Sequence, residues 1–459
     1  MKLVSTGGEG PATDLRTALT RGLAPDGGLY LPERIDPIDP SVLAEVRGQS
    51  FSVVSRAVAG HLLGSIIPAD DLDRIVDAAL DFEVELVPLG DEVSMNGHGA
   101  TSGAASGPSG GSLHDLYVLE LFHGPTLAFK DVGARFMAQL VRYFGDEVGG
   151  PVGEAPLTIL AATSGDTGSA VAQAFLGIAG IRTVILFPKG KVTPLQERQF
   201  TTLGGNVQVL EVDGTFDDCQ RLVKSAFSDP ILRAYVRLSS ANSINIGRLL
   251  PQIFYYVYAA AQLPEGSAPL FSVPSGNFGN LTAGLMAKRL GMVSRGFVAA
   301  TNVNDVVPEH LRTGIFRPRP SIPTISNAMD VGDPSNFARI LALYDGDIDR
   351  LREDLVGSVH DDDETRECIA QVYRRTGYIL DPHSAVAYLG VGAGHRAFGK
   401  GPCVVLSTAH PVKFREAVEP AIGSEVPVPD RLAACLDAER HVTPIPAETS
   451  ALREFLLED

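Results

Sequence analysis

Between residues 157 and 228 the sequence repeats a pattern of an apolar strand, a turn and an amphipathic helix. The apolar runs LTILAA, TVILFP and VQVLEV begin at Leu157, Thr183 and Val207, and each precedes a segment with helical spacing. Continuous apolar runs flanked by helices are typical of parallel strands that are buried on both faces. The pattern therefore predicts an α/β fold, in which ligands bind on the turns that follow the carboxyl ends of the strands.

Composition restricts what such a fold can bind. The 459 residues carry a net charge of -17, 44% of them are hydrophobic, and no basic run occurs. A substantial core is possible, whereas nucleic acid and anionic membranes are poor partners, and an anionic substrate would need a local positive charge. The four cysteines lack metal-ligand spacing, and MKLVSTGGEG contains no secretory leader. We therefore expect a cytoplasmic protein with reduced thiols and no metal site.

Lys130 is the candidate catalytic residue. It lies near the end of LELFHGPTLAFKD, residues 119–131, just before the amphipathic segment VGARFMAQLVRYF, so a loop is predicted to become a helix there. Apolar neighbours and the positive end of a helix both favour the neutral amine, which is a nucleophile for aldehydes. Placement alone favours the alternative, a solvated lysine in the first turn of a helix.

Two turns combine glycines with polar side chains after predicted strands. TSGDTG follows LTILAA, and its hydroxyls and helix-start amides suit a carboxylate or a phosphate, although a plain capping turn fits equally well. PSGNFGN follows the strand LFSV, and its successive amides would hold a phosphate dianion. Its spacing does not fit GxGxxG, and no GKS or GKT follows. The candidate residues are Thr163, Ser164, Gly165, Asp166 and Thr167 in the first turn, and Gly276, Asn277, Phe278, Gly279 and Asn280 in the second.

Two further segments carry hydrogen-bonding side chains. ANSINIGRLLPQ contains Asn242, Ser243 and Arg248, and arginine suits bidentate phosphate binding, whereas Asn242 could also be a helix cap. CVVLSTAHPVKF is predicted to be a buried strand that ends on a serine and Thr408, a pair that also fits a plain polar terminus. His383, near a predicted helix start, is expected to be a cap or a core partner rather than a general base.

Together these segments resemble the threonine synthase family. FHGPTLAFKD resembles the segment that carries the pyridoxal-phosphate lysine, and PSGNFGN resembles the loop that holds the cofactor phosphate. Asp166 stands where many similar enzymes carry Asn, which looks like the threonine synthase branch. NSINIGR resembles the segment that holds the substrate phosphate, and GLAPDGGLYLPE, residues 22–33, matches the N-terminal region. The features occur in the order that the family shows.

The resemblance implies fold type II of the pyridoxal-phosphate enzymes, with two three-layer α/β lobes, mostly parallel sheets and an N-terminal accessory region. The expected parts are the accessory region 1–93, a lysine-bearing lobe 114–250 and a cofactor-phosphate-binding lobe 251–459. Residues 94–113 lie between them and are rich in glycine and serine. Such a segment cannot bury enough apolar surface to become ordered, so we expect a flexible loop.

The resemblance also implies roles for the candidate residues. Lys130 would hold the aldehyde of pyridoxal 5'-phosphate, and residues 276–280 would hold the phosphate of the cofactor. Thr408 would lie next to the pyridine nitrogen of the cofactor. A hydroxyl there leaves the nitrogen mostly unprotonated, which suits elimination and replacement. The TSGDTG turn would grip the substrate carboxylate, and Asn242, Ser243 and Arg248 its phosphate. Because an anionic Asp166 would repel a carboxylate, its side chain is expected to point away.

The implied activity is the conversion of O-phospho-L-homoserine and water into L-threonine and phosphate, by a monomer or a homodimer. One alternative is a related dehydratase or phospholyase that releases a 2-keto acid, although ANSINIGR favours a phosphorylated substrate. A second alternative is a non-catalytic binding relative, which the presence of Lys130 and both glycine turns disfavours. A nucleotide-dependent oxidoreductase is less favoured still, since its fingerprint is absent.

Overall fold

The computed structural model describes residues 1–89, 115–149 and 156–458, with the side chains of 145–149 left out. The predicted flexible loop, residues 94–113, lies outside the described residues. Among the described residues, each helix is too short or too polar to cross a membrane.

The described strands and helices alternate along most of the chain. The strands are β1 (Leu3–Ser5), β2 (Tyr30–Pro32), β3 (Glu85–Pro88), β4 (Leu116–Glu120), β5 (Leu157–Ala162), β6 (Ile181–Pro188), β7 (Val207–Asp213), β8 (Arg237–Ser240), β9 (Leu270–Pro274), β10 (Gly296–Thr301), β11 (Leu355–Val359), β12 (Cys403–Ser407) and β13 (Thr443–Pro446). The helices are α1 (Leu15–Arg21), α2 (Pro40–Glu45), α3 (Phe51–Leu63), α4 (Ala69–Ala79), α5 (Lys130–Gly149), α6 (Asp166–Phe175), α7 (Pro194–Thr201), α8 (Phe216–Ser228), α9 (Pro230–Tyr235), α10 (Ile246–Leu249), α11 (Gln252–Gln262), α12 (Gly279–Arg289), α13 (Val306–Thr313), α14 (Phe337–Leu343), α15 (Ile348–Asp354), α16 (Asp362–Thr376), α17 (Pro382–Phe398), α18 (Arg415–Ile422), α19 (Asp430–Leu436) and α20 (Thr449–Leu457).

Two mostly parallel sheets form the framework. The larger sheet has the strand order β11-β10-β9-β12-β4-β3, in which β3 at the edge is antiparallel to β4 and the other pairs are parallel. The smaller sheet has the order β13-β7-β6-β5-β8, and all its pairs are parallel. The predicted α/β class with mostly parallel sheets is confirmed.

The boundary predicted between the two lobes, at residue 250, does not match the division of the strands between the two sheets. Strand β4 precedes Lys130 in the sequence, yet it pairs with β12, so it belongs to the larger sheet. Strand β13 pairs with β7 in the smaller sheet, although it lies near the end of the chain. The predicted parts 114–250 and 251–459 therefore do not separate the two sheets, because strand pairing follows packing rather than distance along the chain.

Local sequence explains where the elements around the first glycine turn begin and end. The run LTILAA forms β5 with the predicted bounds, and all of its residues are buried. The next helix, α6, starts at Asp166, inside the TSGDTG turn, and ends at Phe175. Gly177 and Gly180 both have a φ of 73°, which a right-handed helix cannot include.

The N-terminal region is part of the main core rather than an appendage. Leu15, Leu19 and Val54 are fully buried in the same apolar cluster as Phe136 of α5 and Phe254 of α11. The Leu19 carbonyl also accepts hydrogen bonds from side chains of β8 and of the segment that follows it. Residues 1–89 therefore support the elements that carry the candidate site.

Close packing of α12 gives a test of this arrangement. A Cβ on Gly284 would lie 2.8 Å from the rings of Tyr256 and Phe297, so Gly284→Ala should lower the free energy of unfolding by about 1–3 kcal/mol. Gly60, in α3, has open space around its Cβ position, and Gly60→Ala should raise that free energy by about 0.5–1 kcal/mol. Urea unfolding of the cofactor-free variants measures both, and equal stability of the two would contradict the packing.

Candidate active site

A closed turn delivers Lys130 to the first position of α5. Asp131, the next residue, is buried, and its carboxylate accepts the Thr126 N–H at 2.8 Å and the Thr126 hydroxyl at 2.7 Å. Gly124 permits this closure, because a Cβ there would lie 2.5 Å from an Asp131 oxygen. Leu127 adopts a left-handed φ of 58° within the turn. The Asp of FHGPTLAFKD therefore fixes the turn, and the turn fixes Lys130.

The Lys130 amine lies in a buried, cation-rich environment. The side chain is 16% exposed, and Nζ lies 5.1 Å from the centre of the Phe129 ring and 3.7 Å from Asp166 Oδ2. Burial lowers the pKa of Lys130, and the cations of Lys413 and Arg248 lower it further, whereas the Asp166 carboxylate opposes them. Burial thus acts toward the neutral amine expected from the sequence, and the position is not that of a solvated lysine.

Asp166 is shared between two lysines. Lys413 is 1% exposed and lies in the 3₁₀ helix Pro411–Phe414, where its ammonium donates to Asp166 Oδ1 at 2.8 Å. Gln196 Nε2 donates to the same oxygen at 2.8 Å. Burial acts to raise the pKa of the Asp166 carboxyl, but Lys413, Lys130 and these hydrogen bonds hold it well below its usual range. Asp166 is therefore an anion directed toward the lysines.

Lys413 was missed by the sequence analysis. The available signal was a lysine between Val412 and Phe414, shortly after a buried strand, where a charged side chain needs a partner. Its partner Asp166 lies 247 residues earlier, so no local spacing connects the two.

The TSGDTG turn is built by Thr163. The Thr163 hydroxyl accepts the N–H groups of Gly165 at 2.9 Å and Gly168 at 2.7 Å, and it donates to the Gly165 carbonyl at 2.9 Å. This uses its full hydrogen-bonding capacity, so its side chain holds the turn rather than a ligand. Gly165 has a φ of 143°, and a Cβ there would lie 2.6 Å from Gln196 Oε1. Ser164 and Thr167 are half-buried, and the first amides of α6 have no carbonyl one turn earlier.

The PSGNFGN turn leads into the open N terminus of α12. Phe278, the N-cap residue, has a left-handed φ of 62° and supplies no side-chain cap. Its ring is buried, so Phe278 contributes its backbone to the turn. A Cβ on Gly276 would lie 2.6 Å from the Ala328 carbonyl, which explains the first glycine, and Gly279 begins the helix. The helix-start amides therefore remain for an external acceptor.

Asn280 adds an unpaired donor to this cradle. Its Oδ1 accepts the hydroxyls of Tyr255 and Tyr256, each at 2.7 Å. Its Nδ2 is buried and has no partner among the described residues. An uncapped helix N terminus with an unpaired buried N–H fits the phosphate of pyridoxal phosphate without needing a basic residue.

Thr408 lies directly beside the Lys130 segment. Its carbonyl accepts the Phe129 N–H at 2.9 Å, and Ala128 forms a bridge with Ala409. The side chain of Thr408 is largely buried, whereas the hydroxyl of Ser407 is paired with that of Ser384 at 2.8 Å. The end of β12 therefore brings the predicted ring neighbour close to the lysine.

The predicted phosphate-binding residues occupy different places. Ser243 lies at the cradle, where its hydroxyl accepts Asn277 Nδ2 at 2.8 Å. Asn242 donates to the carbonyl of Ala162 at 3.2 Å, next to the TSGDTG turn, and its Oδ1 has no partner among the described residues. The cap of α10 is Asn245, so Asn242 does not cap this helix.

Arg248 is buried against the first turn of α5. One Nη donates to the Ala241 carbonyl, whereas Nε has no partner in the described part of the chain. Burial lowers the pKa of Arg248 to about 10, and Asp131 opposes this effect, so the guanidinium stays charged at neutral pH. An edge of the guanidinium is thus left for an acceptor.

His383 has the structural role that was expected. Its Nδ1 lies 2.6 Å from Asp381 Oδ2, and its Nε2 accepts the Ala328 N–H at 3.2 Å. Both ring nitrogens are therefore engaged, and neither is left to act as a general base.

Comparisons with known proteins identify the family. Three family models match the sequence: pyridoxal-phosphate dependent enzyme over residues 104–409, threonine synthase N terminus over 2–80 and threonine synthase C-terminal over 385–456. The chain is 41% identical to the threonine synthase of Serratia marcescens and 40% identical to that of Escherichia coli, over 100% of this chain and 99% of each relative. This chain belongs to the threonine synthase family.

Solved structures of the threonine synthase family share the whole fold. The crystal structure of the Escherichia coli threonine synthase matches with a TM-score of 0.86 at 39% identity, and the pyridoxal-phosphate-bound threonine synthase of Brucella melitensis with 0.88 at 36%. Each covers 100% of this chain and 99% of the solved chain. A threonine deaminase from Solanum lycopersicum, with a TM-score of 0.53 at 15% identity, shows the same fold more distantly. The type II fold and the pyridoxal-phosphate cofactor are therefore confirmed.

The arrangement of Lys130, Asp166 and Lys413 predicts a change in amine reactivity. Lys413→Met removes a cation that lowers the pKa of Lys130 and leaves the Asp166 carboxylate that raises it, so the pKa of Lys130 should rise. The pH dependence of Lys130 acetylation in the cofactor-free protein, followed by peptide mass spectrometry, should shift to higher pH. The double variant Lys413→Met/Asp166→Asn removes both members of the ion pair, so the pH dependence of Lys130 acetylation should return toward that of the wild type.

Lys288→Met is the control for this measurement, since it removes a lysine paired with Asp354 away from the site. Lys288→Met should leave the pH dependence of Lys130 acetylation unchanged. An unchanged profile in Lys413→Met would contradict the proposed coupling.

Proposed function

We propose that this chain is a threonine synthase that converts O-phospho-L-homoserine and water into L-threonine and phosphate, with pyridoxal 5'-phosphate as cofactor. The observation that carries the proposal is the buried Lys130 amine, held 3.7 Å from Asp166 in a chain that aligns from end to end with threonine synthases. Burial favours an uncharged nucleophile at this position.

The residues that would hold the cofactor follow from the geometry. The Lys130 amine would bind the aldehyde, the amides at residues 276–280 with Asn280 Nδ2 would bind the phosphate, and the Thr408 hydroxyl would meet the pyridine nitrogen. When bound, pyridoxal phosphate supplies a conjugated ring that withdraws electrons from the α carbon of the substrate.

We propose that Lys130 also moves protons during the reaction. Once the cofactor holds the substrate amino group instead, the Lys130 amine would be free to accept protons from the α and β carbons and to return protons at the γ and α carbons. The pairing of Asp166 with Lys413 lowers the attraction of the carboxylate for a proton on Lys130, which supports this role. Phosphate departs from the γ carbon, and the oxygen of water is added at the β carbon.

The two anionic ends of the substrate need separate sites. We propose that the TSGDTG turn, residues 163–168, binds the carboxylate with the backbone amides that the Thr163 hydroxyl does not engage, and that Asn242, Ser243 and Arg248 bind the phosphate. Two cations, Lys413 and Arg248, and one carboxylate, Asp166, act on the Lys130 amine. This local excess supports anion binding in a chain whose net charge is -17.

A cavity of about 990 Å³ supports an approach to this centre from solvent. It reaches Lys413 and is also lined by Arg366, Arg374 and Arg415. Asp363, Glu367 and Glu416 line the same cavity, so its walls carry both signs of charge. We further propose that the enzyme acts in the cytoplasm as a monomer or a homodimer, without nucleic acid or membrane partners.

The direct test compares Lys130→Ala with Lys224→Ala, an exposed lysine of α8. Lys130→Ala should lose the visible absorbance of the bound cofactor, and turnover of O-phospho-L-homoserine should fall about 1000-fold or more, because the amine that moves protons is absent. Lys224→Ala should retain both properties. Phosphate and threonine should be released in equal amounts by the wild-type enzyme, and release of 2-oxobutanoate instead would favour a lyase of the same fold.

A further inference from the structure

Arg339 is a buried cation without a carboxylate partner among the described residues. It is 0% exposed, and its guanidinium donates to the carbonyls of Tyr30 at 2.9 Å, Ser243 at 3.1 Å and Ile244 at 2.6 Å, and to Asn336 Oδ1 at 2.6 Å. Burial lowers the pKa of Arg339 to about 9, so the group stays charged at neutral pH. An uncompensated buried charge is costly, which calls for an anion nearby.

Arg339 fixes the orientation of the Asn336 amide. A guanidinium can only donate, so the atom of Asn336 that faces it must be the carbonyl oxygen. The amide nitrogen of Asn336 therefore faces the other way, toward Ser243 Oγ at 3.2 Å.

A second amide is oriented in the same manner. The backbone N–H of Ser335 donates to Asn277 Oδ1 at 2.6 Å, so the carbonyl oxygen of Asn277 faces the backbone. Asn277 Nδ2 then donates to Ser243 Oγ at 2.8 Å. Flipping either amide would place its NH2 group against an N–H donor, the Arg339 guanidinium or the Ser335 backbone.

The Ser243 hydroxyl consequently has one hydrogen bond left to make. Both of its lone pairs accept amide donors, so its proton must be donated, and none of the described residues accepts it. The site lies at the start of α12, because a Cβ on Gly279 would be 3.5 Å from both Ser243 Cβ and Asn336 Nδ2. The free donor thus stands beside the uncapped helix amides.

We propose that Arg339 is a positioning residue that, through Asn336, makes Ser243 an obligate hydrogen-bond donor to a phosphate monoester at the N terminus of α12. The buried guanidinium also supplies the charge that compensates this anion. The proposal deepens the proposed function and rests on it for the identity of the ligand, which is the phosphate of either the cofactor or the substrate.

Asn336→Asp tests the direction of the hydrogen bonds between Arg339, Asn336 and Ser243 with a minimal change. A carboxylate still accepts from Arg339, so the fold should persist, but its second oxygen now accepts the Ser243 proton and no donor remains for the phosphate. Loss of one charge-assisted hydrogen bond corresponds to about a tenfold to hundredfold loss of affinity. Thermal unfolding at an unchanged or higher midpoint checks that the variant folds.

Two binding measurements distinguish the sources of the phosphate. In the cofactor-free protein, the ratio of the dissociation constants of pyridoxal phosphate and pyridoxal reports the cofactor phosphate. In the holoenzyme, the same ratio for O-phospho-L-homoserine and L-homoserine reports the substrate phosphate. A tenfold or larger change in either ratio in Asn336→Asp supports the proposal and names the ligand, and unchanged ratios in a folded variant overturn it.

Ser243→Ala separates the hydrogen bond from simple charge repulsion. If Asn336 acts through Ser243, adding Asn336→Asp to Ser243→Ala should change the ratios much less than it does in the wild type. A full effect of Asn336→Asp in the Ser243→Ala background overturns the proposal. Gln262→Glu, on α11, introduces the same change of charge elsewhere and should leave both ratios unchanged. The cofactor ratio is informative even if the wild-type protein does not release threonine, so failure of the proposed function remains distinguishable.

Discussion

The contact on which the site depends is the carboxylate of Asp166 between two buried lysines. One oxygen is 2.8 Å from the Lys413 ammonium, and the other is 3.7 Å from the Lys130 amine. An unpaired carboxylate in this position would attract a proton to Lys130, and a site without a carboxylate would leave Lys413 as an uncompensated buried charge. The Lys413 side chain is therefore paired, while burial lowers the pKa of Lys130 toward the neutral amine that reacts with an aldehyde.

The elements that we propose to bind anions use two physical solutions. The two glycine turns offer backbone amides at helix starts, which need no net charge. Arg248 and Arg339 instead keep buried guanidinium groups with few acidic neighbours, and both retain their charge at neutral pH. Because these charges are local and shielded from water, the overall charge of -17 does not oppose the binding of small anions.

Features set by neighbouring residues could be predicted from the sequence. The apolar run at Leu157–Ala162 and the two glycine turns follow from local patterning, and FHGPTLAFKD placed Lys130 at a helix start as observed. Features set by long-range pairing could not. Lys413 meets Asp166 across 247 residues, Arg339 reaches Tyr30, and β4 and β13 join sheets distant in sequence. None of these contacts leaves a periodic signal in a single sequence.

The most direct measurement of the central claim is the identity of the lysine that carries the cofactor. Borohydride reduction of the holoenzyme, followed by proteolysis and mass spectrometry, fixes the cofactor to the amine that holds it. The account predicts that the modified peptide contains Lys130, because burial favours its neutral amine, while Lys413 Nζ is paired with Asp166. Modification of Lys413 instead, or of neither lysine, would contradict it.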